Sequence, residues 1–73
     1  KIFLYPNPTN GILKIASKRS YKIFEIEIYD LAGRKLISQK NDEKIDIDFL
    51  PDGVYIAKIN IDGESLEQKI IKN

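Results

Sequence analysis

Apolar and polar residues follow one another along this 73-residue chain in the order typical of short β-strands. Apolar side chains alternate with charged ones over residues 24–28 and again over 45–49. A period of two residues indicates a strand with one buried face. Further predicted strands occupy residues 2–5, 12–16, 34–39, 54–61 and 64–71. We therefore predict seven short strands and no sustained helix.

Turn signals separate these runs. Asp62-Gly63 is the strongest of them, because a two-residue type I′ hairpin needs positive φ at both positions. Asp30 and Gly33 stand at the first and fourth positions of a predicted β-turn. Strands at about ten-residue spacing predict an antiparallel sandwich or a small barrel. We expect one domain spanning residues 1–73.

The alternation also predicts which side chains form the core. Fourteen isoleucines favour strands, since β-branched side chains pack well on a pleated surface. In the run 45–49 the isoleucines and Phe49 are expected to face inward, with Asp46 and Asp48 in solvent. The predicted interior residues are Ile26, Ile28, Ile47, Leu50, Ile59 and Ile61.

Composition excludes several classes of function. The chain has no Cys and no His, which excludes disulfides, thiol nucleophiles, and thiolate or imidazole metal sites. A net charge of +1 gives no basic surplus, so we expect no nucleic-acid partner. No apolar run approaches the roughly 20 residues that span a bilayer. We see no N-terminal signal peptide, so an exported protein would need one upstream of this segment.

Candidate catalytic residues are few. Asp46 and Asp48 share one face of a strand, but that face is expected to be solvated. The acidic residues between 42 and 52 lack the spacing of an EF-hand calcium loop. No serine stands in a G-x-S-x-G context. We therefore expect no catalytic residue, no metal site and no cofactor.

Three motifs carry more information than composition. The prolines in Tyr5-Pro6-Asn7-Pro8 remove backbone donors, so this segment is interpreted first as a strand-ending turn and second as a recognition element. In Asp30-Leu31-Ala32-Gly33-Arg34 the aspartate can accept from backbone two residues on, and Arg34 could pair with a carboxylate or a partner. Leu50-Pro51-Asp52-Gly53-Val54-Tyr55 resembles the tyrosine corner of Greek-key sandwiches, in which the phenol bonds to upstream backbone.

In this order and spacing, the motifs resemble the type A C-terminal sorting domain of the type IX secretion system of Bacteroidota. The resemblance runs through residues 2–15, 26–37, 45–59 and 68–73, so it covers nearly the whole chain. It includes a lysine-rich end, where we expect the parent protein to stop. Asp48 and Phe49 depart from the family pattern, which more often has Ser and a small or polar residue there.

The resemblance implies a seven-stranded antiparallel β-sandwich with an immunoglobulin/fibronectin-like Greek key. It implies that this domain acts as a non-catalytic secretion signal. It implies a covalently linked N-terminal cargo that travels through the periplasm to the cell surface or the medium. The implied partners are the outer-membrane type IX translocon, its shuttle protein, and a sortase-like peptidase that commonly removes the domain. The family-pattern positions in this chain are Pro6, Asn7, Pro8, Gly11, Asp30, Gly33, Arg34, Leu50, Gly53, Tyr55, Lys58, Lys69, Ile70, Ile71 and Lys72.

An alternative is a fibronectin-like or carbohydrate-binding accessory module of a secreted enzyme. Sugar-binding platforms expose flat aromatic rings, but this chain has no Trp, and most of its Tyr and Phe are expected at core or corner positions. Tyr21 is the one aromatic residue in a predicted polar loop. The place of this segment in its parent gene would distinguish the two, since sorting domains end the chain.

The last strand is expected to offer the final surface available to a receptor. Depending on register, its outward residues are either Glu67 and Lys69, or Gln68 and Lys72. Lysines at a sheet edge guard against unwanted pairing, while a receptor could use the same edge by strand addition.

Overall fold

The computed structural model describes residues 2–17 and 24–73. These residues form seven strands, and every strand pairing is antiparallel. The strands are β1 (Ile2–Tyr5), β2 (Ile12–Ser17), β3 (Phe24–Tyr29), β4 (Lys35–Lys40), β5 (Lys44–Asp46), β6 (Gly53–Ile61) and β7 (Glu64–Lys72). The described residues include no helix with the length and apolar character needed to cross a membrane.

The strands form two sheets. One sheet has the order β1-β2-β5 and the other has the order β4-β3-β6-β7. Consecutive strands therefore change sheets between β2 and β3, between β4 and β5, and between β5 and β6. The predicted all-β class and seven-strand count are confirmed, and the arrangement is that of an immunoglobulin/fibronectin-like Greek-key sandwich.

The core lies between the two sheets and is almost wholly hydrocarbon. All six residues predicted for the interior are buried. On β3 and β6, buried and half-buried positions alternate, as a period of two requires. The other buried apolar residues are Leu4, Leu13, Ile15, Phe24, Ile45, Tyr55, Ala57 and Ile70.

The inward position predicted for Phe49 is wrong. Strand β5 ends at Asp46, and the chain then turns, with the N–H of Leu50 donating to the carbonyl of Ile47 at 3.0 Å. The N–H of Asp48 donates to the Asp46 carboxylate at 2.9 Å. This turn breaks the alternation, so Leu50 enters the core while Phe49 is 70% exposed. Asp46 and Asp48 are exposed, as predicted.

The hairpin predicted at Asp62-Gly63 joins β6 to β7. Both residues have positive φ, 49° and 87° respectively, as a type I′ turn requires. Among the described residues, the hairpin aligns the longest pair of strands, from Ile61 opposite Glu64 to Gly53 opposite Lys72. It thereby brings the C-terminal residues back beside the start of β6.

Candidate recognition surface

The structure brings most of the family-pattern positions to one end of the sandwich. Gly53, at the start of β6, lies opposite Lys72 near the end of β7. Thr9, one residue after the proline motif, forms a parallel bridge with Lys72. Tyr29 pairs with Ile56, so the turn that follows β3 lies level with the start of β6. Segments far apart in sequence therefore meet at one end of the sandwich.

Asn7 ties the proline motif to the C-terminal strand. Its amide nitrogen donates to the carbonyl of Lys69 at 2.8 Å, and its amide oxygen accepts from the N–H of Ile71 at 2.9 Å. The side chain thus satisfies a donor and an acceptor on the outer edge of β7, as a neighbouring strand would. Pro6 and Pro8 are exposed on either side, and both X–Pro bonds are cis. These contacts support the structural interpretation of the motif.

Thr9, which the sequence analysis did not single out, and Gln68, which it considered only as an outward residue, continue this connection. The N–H of Thr9 donates to the carbonyl of Ile71 at 2.8 Å, and the N–H of Asn73 donates to the carbonyl of Thr9 at 2.9 Å. Gln68 accepts from the N–H of Leu4 at 2.7 Å and donates to the carbonyl of Leu4 at 2.9 Å. We call the contacts of Leu4, Asn7 and Thr9 with residues 68–73 the terminal seam. The signal for Gln68 in the sequence is a polar side chain two residues before Ile70, on the face of β7 that turns inward.

The terminal seam corrects the expectation that the edge of β7 is available to a receptor. The outward backbone groups of Lys69, Ile71 and Asn73 named above already have partners within the chain. An added strand would have to displace Asn7 and Thr9 before it could pair with this half of β7. The seam therefore protects this half of the edge.

The register of β7 decides between the two sets of outward residues. Glu67 and Lys69 are exposed, whereas Gln68 is half-buried and Lys72 is 7% exposed. The ammonium of Lys72 lies 3.3 Å from a carboxylate oxygen of Asp52. The outward residues are therefore Glu67 and Lys69, and Lys72 belongs to the buried face of β7.

The tyrosine corner is present. The hydroxyl of Tyr55 donates to the carbonyl of Pro51, four residues upstream, and the side chain is buried. This bond fixes the bend between β5 and β6. It accounts for Tyr55 and the adjoining Leu50-Pro51 as residues that hold the fold.

Tyr55→Phe is expected to destabilise the domain by about 1–2 kcal/mol, because it leaves the Pro51 carbonyl without its partner while keeping the ring. The measurement is the urea midpoint of the variant against that of the parent. Tyr29→Phe is the matched control, since the Tyr29 hydroxyl bonds a partly exposed carboxylate on the outer face. Equal midpoints for all three proteins would mean that the corner bond contributes nothing.

Asp30 fixes the turn that follows β3. One carboxylate oxygen accepts from the N–H groups of Ala32 and Arg34 at 3.0 and 2.9 Å. The other lies 2.8 Å from Nε of Arg34. The Arg34 backbone donor, together with its guanidinium, holds the pKa of Asp30 below its usual value. The N–H of Gly33 donates to the carbonyl of Asp30 at 3.0 Å, which confirms the predicted turn.

Gly11 occupies a position where the backbone of two segments approaches closely. Its carbonyl accepts from the N–H of Ile47 at 2.7 Å. A Cβ atom on Gly11 would lie 2.9 Å from a carboxylate oxygen of Asp48, and the φ of 154° is one that other residues rarely adopt. The glycine therefore allows the turn after the proline motif to pack on the loop after β5.

The expectation that most aromatic rings are internal is wrong. Phe3 and Tyr5 are each 42% exposed on the outer face of β1, and Phe49 is exposed in its loop. The rings of Phe3 and Tyr5 are 6.1 Å apart and inclined at 59° to one another. Two rings at that angle do not form the flat platform on which a sugar stacks. Tyr21 lies outside the described residues.

The acidic residues considered for calcium binding remain dispersed. Within residues 2–17 and 24–73, no three acidic side chains are grouped closely enough to hold a metal ion. The Asp42 carboxylate accepts from the N–H of Lys44 at 3.0 Å, as that of Asp46 does from Asp48. These carboxylates therefore stabilise local turns.

The fold and the seam define a small β-sandwich in which hydrogen bonds join the N-terminal segment to the C-terminal strand, at the end where most of the motif residues lie. Comparison with known families identifies it further: residues 3–73 match the family described as the secretion system C-terminal sorting domain. The chain belongs to that family. It is therefore a C-terminal sorting signal of type IX secretion, borne by a protein destined for the cell surface or the extracellular space.

A curated relative supports the same assignment. Beta-agarase D of Zobellia galactanivorans is 36% identical over 73 residues, an alignment that covers 97% of this chain and 15% of the agarase. The chain thus spans a small part of that relative. Membership of the family implies an N-terminal cargo and recognition by the secretion system, and the family is in general non-catalytic.

Proposed function

We propose that this domain is a non-catalytic secretion signal recognised by the outer-membrane type IX translocon and its shuttle protein. The cargo fused to its N-terminus reaches the periplasm first, and the folded domain then directs it outward. A sortase-like peptidase removes the domain afterwards. The observation that carries the proposal is the family match over residues 3–73.

The terminal seam supports recognition of a folded surface rather than of a linear peptide. Asn7 lies 62 residues from Lys69 in sequence, yet their side-chain to backbone hydrogen bond is 2.8 Å long. A receptor that contacts this end of the sandwich meets the N-terminal motif and the C-terminal strand together. Unfolding would separate them, because the seam depends on the packed sandwich.

The test is a reporter carried to the periplasm and fused to residues 1–73, expressed in a Bacteroidota host with a working type IX system. We expect the reporter in the medium or on the cell surface. Removal of residues 66–73 deletes most of β7 and the C-terminal side of the seam, so we expect that reporter to stay in the periplasm.

The matched control keeps the fold and changes charge alone. Lys14→Glu alters an exposed side chain outside β7, and exposed charges contribute little to stability, so this variant should fold normally and be exported like the parent. Periplasmic retention of the unaltered fusion would overturn the sorting function and favour the accessory-module alternative. A product in the medium that still contains residues 1–73 would argue against peptidase removal.

A further inference from the structure

The outer face of the four-stranded sheet is divided into a charged half and an apolar half. The register aligns Glu27 with Lys58, and Lys58 with Glu67, across the charged half. The next rows, towards the seam, align Ile56 with Lys69 and Val54 with Ile71. Val54 and Ile71 are each 36% exposed. The apolar half therefore adjoins the end where the motif residues meet.

Leu31 adds an exposed apolar side chain to this half. It is 70% exposed at the tip of the turn that Asp30 fixes, although the turn itself is held by backbone and carboxylate hydrogen bonds. Leu31 belongs to no part of the buried core. Its packing contributes little to folding, so the rigid turn acts as a support that presents this leucine. We call Leu31, Val54, Ile56 and Ile71 the outer patch.

A shallow pocket of about 280 Å³ opens beside the turn. Leu31, Ile56 and Tyr29 form its apolar wall, and Lys58 and Glu67 lie at its polar side. The Lys58 ammonium stands 5.7 Å from the centre of the Tyr29 ring. A pocket of this size takes one or two side chains of a partner, not a whole domain.

The charges around the outer patch present cations outward. In the Arg34–Asp30 pair, the Arg34 side chain is 80% exposed and the Asp30 side chain 18%. In the Lys35–Glu27 pair, the corresponding values are 50% and 12%. Lys69 is also exposed beside Ile56. An approaching partner therefore meets the cations of Arg34, Lys35 and Lys69 around the apolar side chains. Three carboxylates also lie nearby: Glu67 and Asp30 line the pocket, and Asp52, whose side chain is 73% exposed, precedes the start of β6.

We propose that the outer patch docks a protein segment of the secretion machinery that carries an apolar anchor flanked by acidic side chains. The apolar anchor enters the pocket beside Leu31, and its acidic neighbours pair with Lys69 and Arg34. Apolar anchors surrounded by complementary charge are the arrangement that gives interfaces both affinity and specificity. This inference rests on the proposed sorting function and names the surface that performs it.

Leu31→Ser tests the apolar part, with Phe49→Ser as its matched control. Both side chains are 70% exposed, so each substitution should leave the melting temperature of the domain nearly unchanged. We expect Leu31→Ser to lower the ratio of exported to periplasmic reporter about tenfold, the effect of losing one anchor side chain. Phe49→Ser should be exported like the parent.

Lys69→Glu tests the charged part, with Lys14→Glu as its control. Lys14 is also exposed, but it lies on the outer face of the other sheet, opposite Lys44. We expect Lys69→Glu to reduce export several-fold and Lys14→Glu to leave it unchanged. A charge at the rim of an interface affects the partner that binds at that interface, and Lys14 lies on the opposite side of the domain.

The outcomes separate this inference from the sorting function. If the parent and Leu31→Ser are exported equally well, the proposal that the outer patch docks a partner is wrong, while the sorting function is unaffected. Failure of the parent fusion would overturn both. Sedimentation of the parent domain as a dimer that Leu31→Ser converts to a monomer would assign the patch to a second copy of this chain, which would also overturn the proposal.

Discussion

Lys72→Glu is expected to destabilise the domain by about 3 kcal/mol, whereas Lys69→Glu should change its stability by less than about 0.5 kcal/mol. The Lys72 side chain is 8% exposed and its ammonium contacts Asp52. A glutamate there would place a carboxylate in a buried position beside another carboxylate. Lys69 stands in solvent three residues away, on the other face of the same strand.

Urea unfolding of the two variants and of Lys72→Met measures the difference. Methionine keeps most of the length of the side chain and removes its charge, so we expect its urea midpoint to lie much nearer that of the parent than the glutamate variant's does. Equal midpoints for Lys72→Glu and Lys69→Glu would mean that Lys72 is not buried in solution. A variant that reverses both lysines would mix an effect on folding with an effect on recognition, so they must be tested separately.

Ile59→Ala is expected to cost about 3–4 kcal/mol, as large-to-small substitutions at fully buried sites do. Ile59 is 1% exposed in the middle of β6. A domain of this size has a total stability of roughly 4–11 kcal/mol, so the variant would lose a large part of it. Ile56→Ala is the matched control for stability, because Ile56 lies on the half-exposed face of the same strand.

The same variant tests whether the secretion machinery recognises a folded surface. Ile59 contributes no exposed surface for a receptor to contact, so Ile59→Ala can reduce export only through the fold. We expect export to decline as growth temperature rises towards the melting temperature of the variant. Full export at a temperature where the purified variant is unfolded would show that a linear peptide is sufficient.

Local patterns in the sequence were sufficient for the strands and most of the core. The alternation around Ile26 and Ile28 identifies a buried face because side chains on a strand point to opposite sides in turn. Asp62-Gly63 and Asp30 to Gly33 specify their turns through backbone geometry and short-range hydrogen bonds. The tyrosine corner is also local, since Tyr55 bonds a carbonyl four residues away.

Phe49 marks the point where a local pattern fails. The sequence continues to alternate after Ile47, but the N–H of Leu50 closes a turn on Ile47 instead of extending β5. The turn changes the direction of the backbone after Ile47, so the side chain of Phe49 faces solvent. Alternation predicts direction only while the strand lasts, and the end of the strand depends on what its neighbour can pair with.

The sequence by itself determined the all-β class, the alternating core faces, the hairpins and the family, because each follows from spacing within a few residues or from motifs in a fixed order. The tertiary structure decided which motif residues meet. Leu4 and Gln68 are 64 residues apart, and no local pattern pairs them. It also decided that Lys72 is buried while Lys69 is exposed, since one register shift would reverse their faces. Contacts of this kind form only when two sheets pack together, because packing brings distant backbone groups within hydrogen-bonding distance.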